Sequence, residues 1–295
     1  MNIAITGASG FIGRRLLERL PGHALTVFSR GASSSLPSGV RRVQWDPLPG
    51  PPPAAALAGS DAVIHLAGEP VAQRWTSEAK RRIRESRVTG TRHLVEGLRQ
   101  IERPPAALVC ASAIGYYGSR GDEVLTESST PGQGFLPEVC VAWEREADGA
   151  LALGTRVVKI RIGIVLDPKG GALAKMLPPF RMGVGGPLGD GRQWMSWIHL
   201  DDLVRLIVYA VERPLAGGLN GVAPEPVRNS EFTRILGKAL HRPAFLPVPG
   251  FALSLLFGEM SEVLLASQRV VPAAAQAAGF TFQHPHLEGA LEDLL

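Results

Sequence analysis

The sequence predicts an α/β fold built on a doubly wound parallel sheet, and three observations carry that prediction. Short apolar runs alternate with longer helical patterns along most of the chain. Most of the runs are near-continuous rather than alternating, as in strands covered on both faces. A G-x-x-G-x-x-G sequence, Gly7, Gly10 and Gly13, stands between the first apolar run and the first helical pattern. In chain order, the first strand is expected over residues 2–6, running into the glycines, and a helix over 11–20. Strands follow at 24–28 and 40–44. Residues 47–53 (PLPGPPP) read as a loop, since proline neither donates to a ladder nor continues a helix. Then come a strand at 62–66, a long helix at 77–102, a strand at 107–111, a helix at 135–153 and a strand at 157–161. Residues 163–199, rich in Gly and Pro, interrupt the alternation. A helix at 200–212 and a strand at 218–222 resume it, and helical patterns at 230–240 and 251–267 close the chain. This divides the protein into a Rossmann-type, NADP-binding domain (1–163 with 200–224) and a smaller, mixed substrate-side domain (164–199 with 225–295).

Composition bounds the function. The chain has 295 residues, 45% hydrophobic and 20% charged, enough to bury a full core. The excess of its 31 Lys+Arg over 27 Asp+Glu is too small and too scattered to indicate nucleic acid, though it suits a basic pocket for an anionic ligand equally well. Cys110 and Cys140 make neither a metal spacing nor a disulfide framework and read as buried free thiols. No metal is expected. No stretch approaches the roughly 20 apolar residues of a membrane span, and Ile3–Ile5 run straight into the glycines with no leader pattern. The expectation is a cytoplasmic protein with a small-molecule substrate and no nucleic-acid or membrane partner, either monomer or homodimer.

The glycine spacing acquires meaning from its context of strand, turn and helix. Gly7 permits the tight turn, Gly10 lets backbone approach a pyrophosphate, and Gly13 lets the helix pack close to the sheet. The helix N-terminus then offers free N–H groups and partial positive charge. At the end of the second strand an NAD site usually carries Asp or Glu for the ribose 2′-hydroxyl. Here the sequence is Thr26-Val27-Phe28-Ser29-Arg30, with no acid. Arg30 can pair with a 2′-phosphate and Ser29 can donate to it, which predicts NADP(H) over NAD(H). The plainer alternative leaves Arg30 as a solvated loop residue.

The chain resembles the extended short-chain dehydrogenase/reductase superfamily in Gly7-Ala8-Ser9-Gly10-Phe11-Ile12-Gly13, in His65-Leu66-Ala67-Gly68, in Ser86-Arg87-Val88-Thr89-Gly90-Thr91 and in Ala113 to Gly118. More narrowly, LAGEPVAQRW, SAIGYYG, RIGIVLDPKGGAL, GVGGPLGDGRQWMSWIHLDDL, GLNGVAPEPVRNSEF and LASQRVVPAAAQAAGF resemble its SDR39U1-like (YfcH-like) group of "epimerase family proteins" over nearly the whole chain. The resemblance implies NADP binding and an oxidoreductase or epimerase activity. It implies a cofactor turn that includes Phe11 and Ile12, and Leu66, Ala67 and Gly68 lining the adenosine.

The superfamily's usual proton carrier, the Tyr of Y-x-x-x-K, is missing. The three tyrosines Tyr116, Tyr117 and Tyr209 are followed four residues later by Arg120, Gly121 and Arg213, and the helix FLPEVCVAWEREADGAL holds neither Tyr nor Lys. Substitutes are weighed singly. Ser112 either faces the nicotinamide or bonds local backbone. Tyr116 and Tyr117 either supply a phenol, which needs a nearby cation to be active near neutral pH, or pack their rings over the site. Glu138 and Glu144 are bases or solvated charges. Lys159 and Arg161, two apart on a strand, share a face. Arg161 resembles the Arg of the family's R-x-G-x-V-L and is placed with the cofactor-side residues, as an anchor for loop carbonyls. His199 is an acid or a satisfied structural histidine. On the substrate side Gln193, Trp194, Trp197, Arg74-Trp75, Lys80 and Arg84 suit a planar or sugar-like anionic ligand, unless the tryptophans are core and the charges solvated. Three functions remain: an NADP(H)-dependent reductase with a rebuilt acid/base set, a non-catalytic NADP(H)-binding sensor or regulatory protein, and a nucleotide-sugar epimerase in the strict sense, the weakest.

Overall fold

The computed structural model of the chain describes residues 1–31 and 36–295. The first half contains β1 (Asn2–Thr6), α1 (Phe11–Glu18), β2 (Ala24–Ser29), β3 (Arg41–Gln44), α2 (Ala54–Leu57), β4 (Ala62–His65), α3 (Ser77–Arg99), β5 (Ala107–Ala113), β6 (Val124–Leu125) and α4 (Phe135–Asp148). The second half contains β7 (Arg156–Ile162), β8 (Ile164–Asp167), α5 (Gly171–Arg181), β9 (Trp194–Met195), β10 (Trp197–His199), α6 (Leu200–Glu212), β11 (Gly217–Gly221) and β12 (Val227–Arg228). It closes with α7 (Asn229–Ala239), α8 (Gly250–Phe257), α9 (Ser261–Leu265), β13 (Arg269–Val270), α10 (Ala273–Ala277) and α11 (Leu287–Leu294).

Seven strands make one parallel sheet in the order β11-β7-β5-β4-β1-β2-β3. These are the seven expected strands, so the doubly wound class holds. The strand order reverses between β1 and β4, and the crevice at such a switch point, outside the carboxyl ends of the strands, is where ligands bind in open α/β sheets. One face buries Leu16 and Leu17 of α1 and Leu203, Leu206 and Ile207 of α6 against Ile3, Ile5 and Ile160 of the sheet. The other buries Leu94 and Leu98 of α3 and Trp143 of α4 against Val63, Leu108 and Val157. A third buried cluster lies outside the sheet, where Leu173, Leu177, Trp197, Phe232 and Leu291 join α5, β10, α7 and α11.

Two stretches differ from expectation. Residues 163–199, to which the Gly- and Pro-rich sequence assigned no element, contain β8, β9, β10 and α5. The pair Pro178-Pro179 concealed α5, because proline reads as a breaker, yet both lie near its C-terminal end. The pattern over 251–267 is not one helix. It breaks at Gly258, whose φ of +60° no continuing helix permits, into α8, a 3-10 turn and α9.

Candidate cofactor and active site

The first crevice wall is the turn between β1 and α1. Gly7 has φ +73°, and a Cβ there would lie 2.6 Å from the Leu66 carbonyl carbon at the end of β4. A Cβ on Gly13 would lie 2.4 Å from the Gly7 carbonyl oxygen. The turn therefore closes only with hydrogen at both positions. Gly10 caps α1 without a side-chain hydrogen bond, and no acid stands in the first turn, so nothing competes for the N–H groups or cancels their charge. Phe11 and Ile12 are half-buried. Phe11 packs beneath Gly170 and Gly171 at the start of α5, where a Cβ on Gly170 would meet its ring at 2.9 Å. The cofactor helix is thus braced by the region inserted after β7.

Ser29 ends β2 and donates through Oγ to the Gly31 carbonyl at 3.1 Å. Arg30 is exposed, and its guanidinium makes no hydrogen bond or ion pair with the described residues. Another cation, beside the turn, was not singled out from sequence: Arg14, one residue after the third glycine, donates to the Ser9 carbonyl at 3.0 Å. It lines a small cleft of about 160 Å³ with Ala8, Ser9, Leu36 and Pro37. Its position beside the turn was the available signal.

At the end of β4, His65 is fully buried between two threonines, with Nδ1 2.6 Å from Thr6 Oγ1 and Nε2 2.9 Å from Thr91 Oγ1. Burial lowers its pKa to about 4, so the ring is neutral at physiological pH. Thr6 Oγ1 also accepts from the Ala67 amide at 3.3 Å. This chain fixes the segment of Leu66 and Ala67, both half-buried, and exposed Gly68. A Cβ on Gly68 would sit 3.2 Å from the Arg87 guanidinium carbon. Arg87 donates to the Glu69 and Ile83 carbonyls and lies over Trp143.

The ends of β5 and β7 carry side chains instead of bare backbone. Arg161 forms a bidentate pair with Glu144 of α4, Nε–Oε1 at 2.9 Å and Nη2–Oε2 at 3.0 Å, with both residues buried. Two residues before Arg161, Lys159 reaches Asp148, four after Glu144, at 2.7 Å. Two residues of strand span about 6.6 Å and four of helix about 6 Å, so the pairs align. Lys159 and Arg161 thus share a face. Burial opposes the Arg161 charge, but the Glu144 carboxylate outweighs it and raises the guanidinium pKa.

Ser112 is buried and donates to Glu144 Oε1 at 2.7 Å. Tyr117, with no exposed surface, donates to Asn220 Oδ1 at 2.7 Å and accepts from Arg161 Nη1 at 2.9 Å. Burial pushes its phenol pKa up, against the pull of Arg161. Arg161 Nη1 also donates to the Glu127 carbonyl at 3.2 Å, as expected of an anchor for loop carbonyls. Tyr116 is half-exposed, its ring centroid is 3.6 Å from the Arg161 guanidinium carbon, and its hydroxyl has no partner among the described residues. The sequence did not bring Asn220 and Glu127 to this site. Both contact it across long separations, Asn220 at 103 residues from Tyr117.

The other candidates divide. Glu138 is exposed. Cys140 is buried beside Gly115, and desolvation pushes its thiol up to about 12. His199 caps α6, where Nδ1 accepts from the Asp201 amide at 3.1 Å. Its proton is therefore on Nε2, which points toward Asp293 beside the stacked ring of His284 and offers no lone pair to a metal. Trp75 and Trp197 are core, and Gln193 is a buried tie to the Leu188 carbonyl. Lys80 pairs with Glu259 over the Trp75 and Phe135 rings. Arg74 and Arg84 are exposed. Trp194 remains partly exposed between the Arg228 and Arg269 guanidiniums, with its indole N–H on Asp122.

A dinucleotide-binding α/β protein is the class this fold and this turn define. Residues 3–143 match the NAD dependent epimerase/dehydratase family, and residues 248–294 match a domain of unknown function, DUF1731. The chain is 43% identical to the chloroplastic SDR39U1 epimerase family homologue of Arabidopsis thaliana, covering 100% of this chain and 87% of that protein. The crystal structure of human epimerase family protein SDR39U1 (isoform 2) with NADPH superposes with a TM-score of 0.88 at 34% identity, over 100% of this chain and 99% of the other. A nucleoside-diphosphate sugar epimerase from Corynebacterium glutamicum superposes at 0.80 with 36% identity, over 100% of this chain and 58% of that one. The chain belongs to the SDR39U1 group of epimerase family proteins.

Proposed function

We propose that the protein is an NADP(H)-dependent oxidoreductase of the short-chain dehydrogenase/reductase type, acting on a small carbonyl, alcohol or sugar-like substrate without a Tyr-x-x-x-Lys pair. The observation that carries this reading is the turn of Gly7, Gly10 and Gly13, closed to a Cβ at Gly7 and Gly13 and opening onto an uncapped helix, with Arg30, unpaired among the described residues, at the acid-free end of β2. Gly7, Gly10, Phe11, Ile12 and Gly13 hold the pyrophosphate, Ser29 and Arg30 take the 2′-phosphate, and Leu66, Ala67 and Gly68 line the adenosine. The human relative's structure with NADPH supports the choice of cofactor. The reduced cofactor supplies a hydride. Tyr116 is the proton carrier, because its hydroxyl alone among the three candidates has no internal partner among the described residues, and the Arg161 guanidinium against its ring holds it in place. Ser112, Tyr117 and Arg161 are positioning residues that fix the Tyr116 ring. Two buried, unpaired thiols suit a reducing, cytoplasmic setting.

One observation favours the non-catalytic sensor instead: the Ser112 and Tyr117 hydroxyls are both spent on internal bonds. NADPH oxidation over a panel of carbonyl compounds, run on the wild type and Tyr116→Phe, separates the readings. The oxidoreductase reading expects turnover that falls by about a hundredfold in Tyr116→Phe with NADPH affinity unchanged, as for loss of a general acid. NADPH binding with no turnover on any compound favours the sensor.

A further inference from the structure

Eight of the fourteen large hydrophobic side chains exposed among the described residues fall between residues 182 and 263. The segments carrying them are neighbours. The Val248 amide donates to the Pro187 carbonyl and the Gly189 amide to the Val248 carbonyl, so Met182 and Val184 lead into one side of a short main-chain pairing and Phe245 and Leu246 into the other. Gly183 lies against Pro243 in the same way. Helix α8 continues directly from this pairing. Leu253 anchors it inward, while Phe251 and Leu255, one turn apart, stand out at 78% and 77% exposed; on the paired segments that lead into the helix, Phe245 is 72% and Met182 70% exposed. Exposed apolar side chains gathered on neighbouring segments in this way point to an interaction site.

We propose that this face docks the protein peripherally on an anionic lipid surface, with α8 at the boundary between headgroups and acyl chains. Two features of the face select lipid over a protein partner. A protein interface carries about one hydrogen bond per 100–200 Å² to fix its register. The one polar side chain of α8, Ser254, bonds the Gly250 carbonyl and Ser261, so the helix offers nothing to read. Its most exposed side chains protrude, a shape that enters a fluid layer more readily than it matches a rigid surface. The rim is also cationic. Arg181 adjoins Met182, Arg242 precedes Phe245 by three residues, and the Arg74 stem lies 4.0 Å from the Cβ position of Gly258 at the end of α8. None of the three forms an ion pair or side-chain hydrogen bond with the described residues, while the nearby Glu259 is committed to Lys80 and Glu262 alone stands free. Apolar side chains ringed by unpaired cations suit an anionic bilayer surface. No helix among the described residues is long and apolar enough to cross a membrane, so the contact is superficial. The expectation of no membrane partner rested on the lack of a spanning segment, and a docked face needs none.

Co-sedimentation with vesicles tests this. The full-length protein is expected to pellet with mixed phosphatidylcholine/phosphatidylglycerol vesicles, less with pure phosphatidylcholine, and less as salt rises. Phe251→Ser/Leu255→Ser is expected to weaken binding by about tenfold or more. Arg181→Gln/Arg242→Gln is expected to remove the preference for anionic vesicles. Both pairs are exposed, so melting temperature and NADPH affinity should match the wild type. Failure to pellet, or pelleting untouched by Phe251→Ser/Leu255→Ser, overturns the proposal. So does a concentration-dependent dimer in sedimentation velocity that Phe251→Ser/Leu255→Ser dissolves, which would make the occupant a second copy of the chain.

Discussion

The ends of β1 and β5 open onto the same crevice, yet they are made of different material. The β1 end is backbone: three glycines, an uncapped helix and a carbonyl within 2.4 Å of where a Cβ on Gly13 would be. The β5 end is side chains: Ser112, Glu144, Arg161, Tyr117 and Asn220 in one buried, hydrogen-bonded line. Backbone recognition depends on local conformation and tolerates no substitution. A side-chain network depends on groups far apart in sequence, so its chemistry can be rebuilt while the fold is kept.

Four experiments break or sharpen this contrast, from the largest expected effect to the smallest. Gly13→Val drives a side chain into the Gly7 carbonyl and the Ala8 Cα, both main-chain atoms that cannot swing aside. NADPH binding should be lost and stability reduced by more than about 5 kcal/mol in chemical denaturation. A variant that folds and binds normally would refute the backbone account of the β1 end.

Arg161→Ala leaves the Glu144 carboxylate buried without its partner, with Ser112 as its remaining donor. It should cost about 4 kcal/mol. Removing both charges with Arg161→Met/Glu144→Leu should recover much of that loss, since a buried pair stabilises little against well-packed apolar groups. If the single variant is as stable as the wild type, the line of side chains does not hold the β5 end together.

The third experiment is a pH titration of stability. His65 is neutral in the fold, with its pKa lowered from 6.5 to about 4 by burial. Above pH 6.5 it is neutral folded and unfolded and contributes no pH dependence. As pH falls from 6.5 to 4 only the unfolded chain takes up the proton, so stability declines by about 1.4 kcal/mol per unit, about 3 kcal/mol in all. His199, also lowered by burial, works in the same direction. Asp201 is held at about 2, by Arg15 first, and titrates below this window. Denaturation between pH 7 and 4 should show the slope in the wild type and a shallower one in His65→Gln. Equal slopes would remove His65 from the account.

The sequence was legible where structure is local. The seven sheet strands read within two residues of their ends, most plainly β4 and β5, where nearly every residue is buried, because a parallel strand buried on both faces admits little but apolar residues. The glycine turn read from spacing, because the φ of Gly7 and the close approach at Gly13 each exclude every other residue. What failed to read was set by distant contacts. The bond between Asn220 and Tyr117 spans 103 residues, and no local pattern announces it. Helix α5 was hidden by Pro178-Pro179, and tertiary packing of Leu173, Leu177 and Phe180 overrides that breaker signal. Arg30 is the instructive middle case. Its chemistry was read from the missing acid, its guanidinium has no partner among the described residues, and whether it meets a 2′-phosphate is for a ligand titration to decide.

The fourth experiment therefore tests the central claim most directly: titration of NADPH and NADH into the wild type and Arg30→Ala. A charged hydrogen bond to the 2′-phosphate is worth about 1.5–3 kcal/mol, so NADPH should bind at least about tenfold more tightly than NADH. Arg30→Ala should lose most of that margin and leave NADH affinity unchanged. NADH binding as tightly as NADPH in the wild type, or a margin that survives Arg30→Ala, would contradict the account.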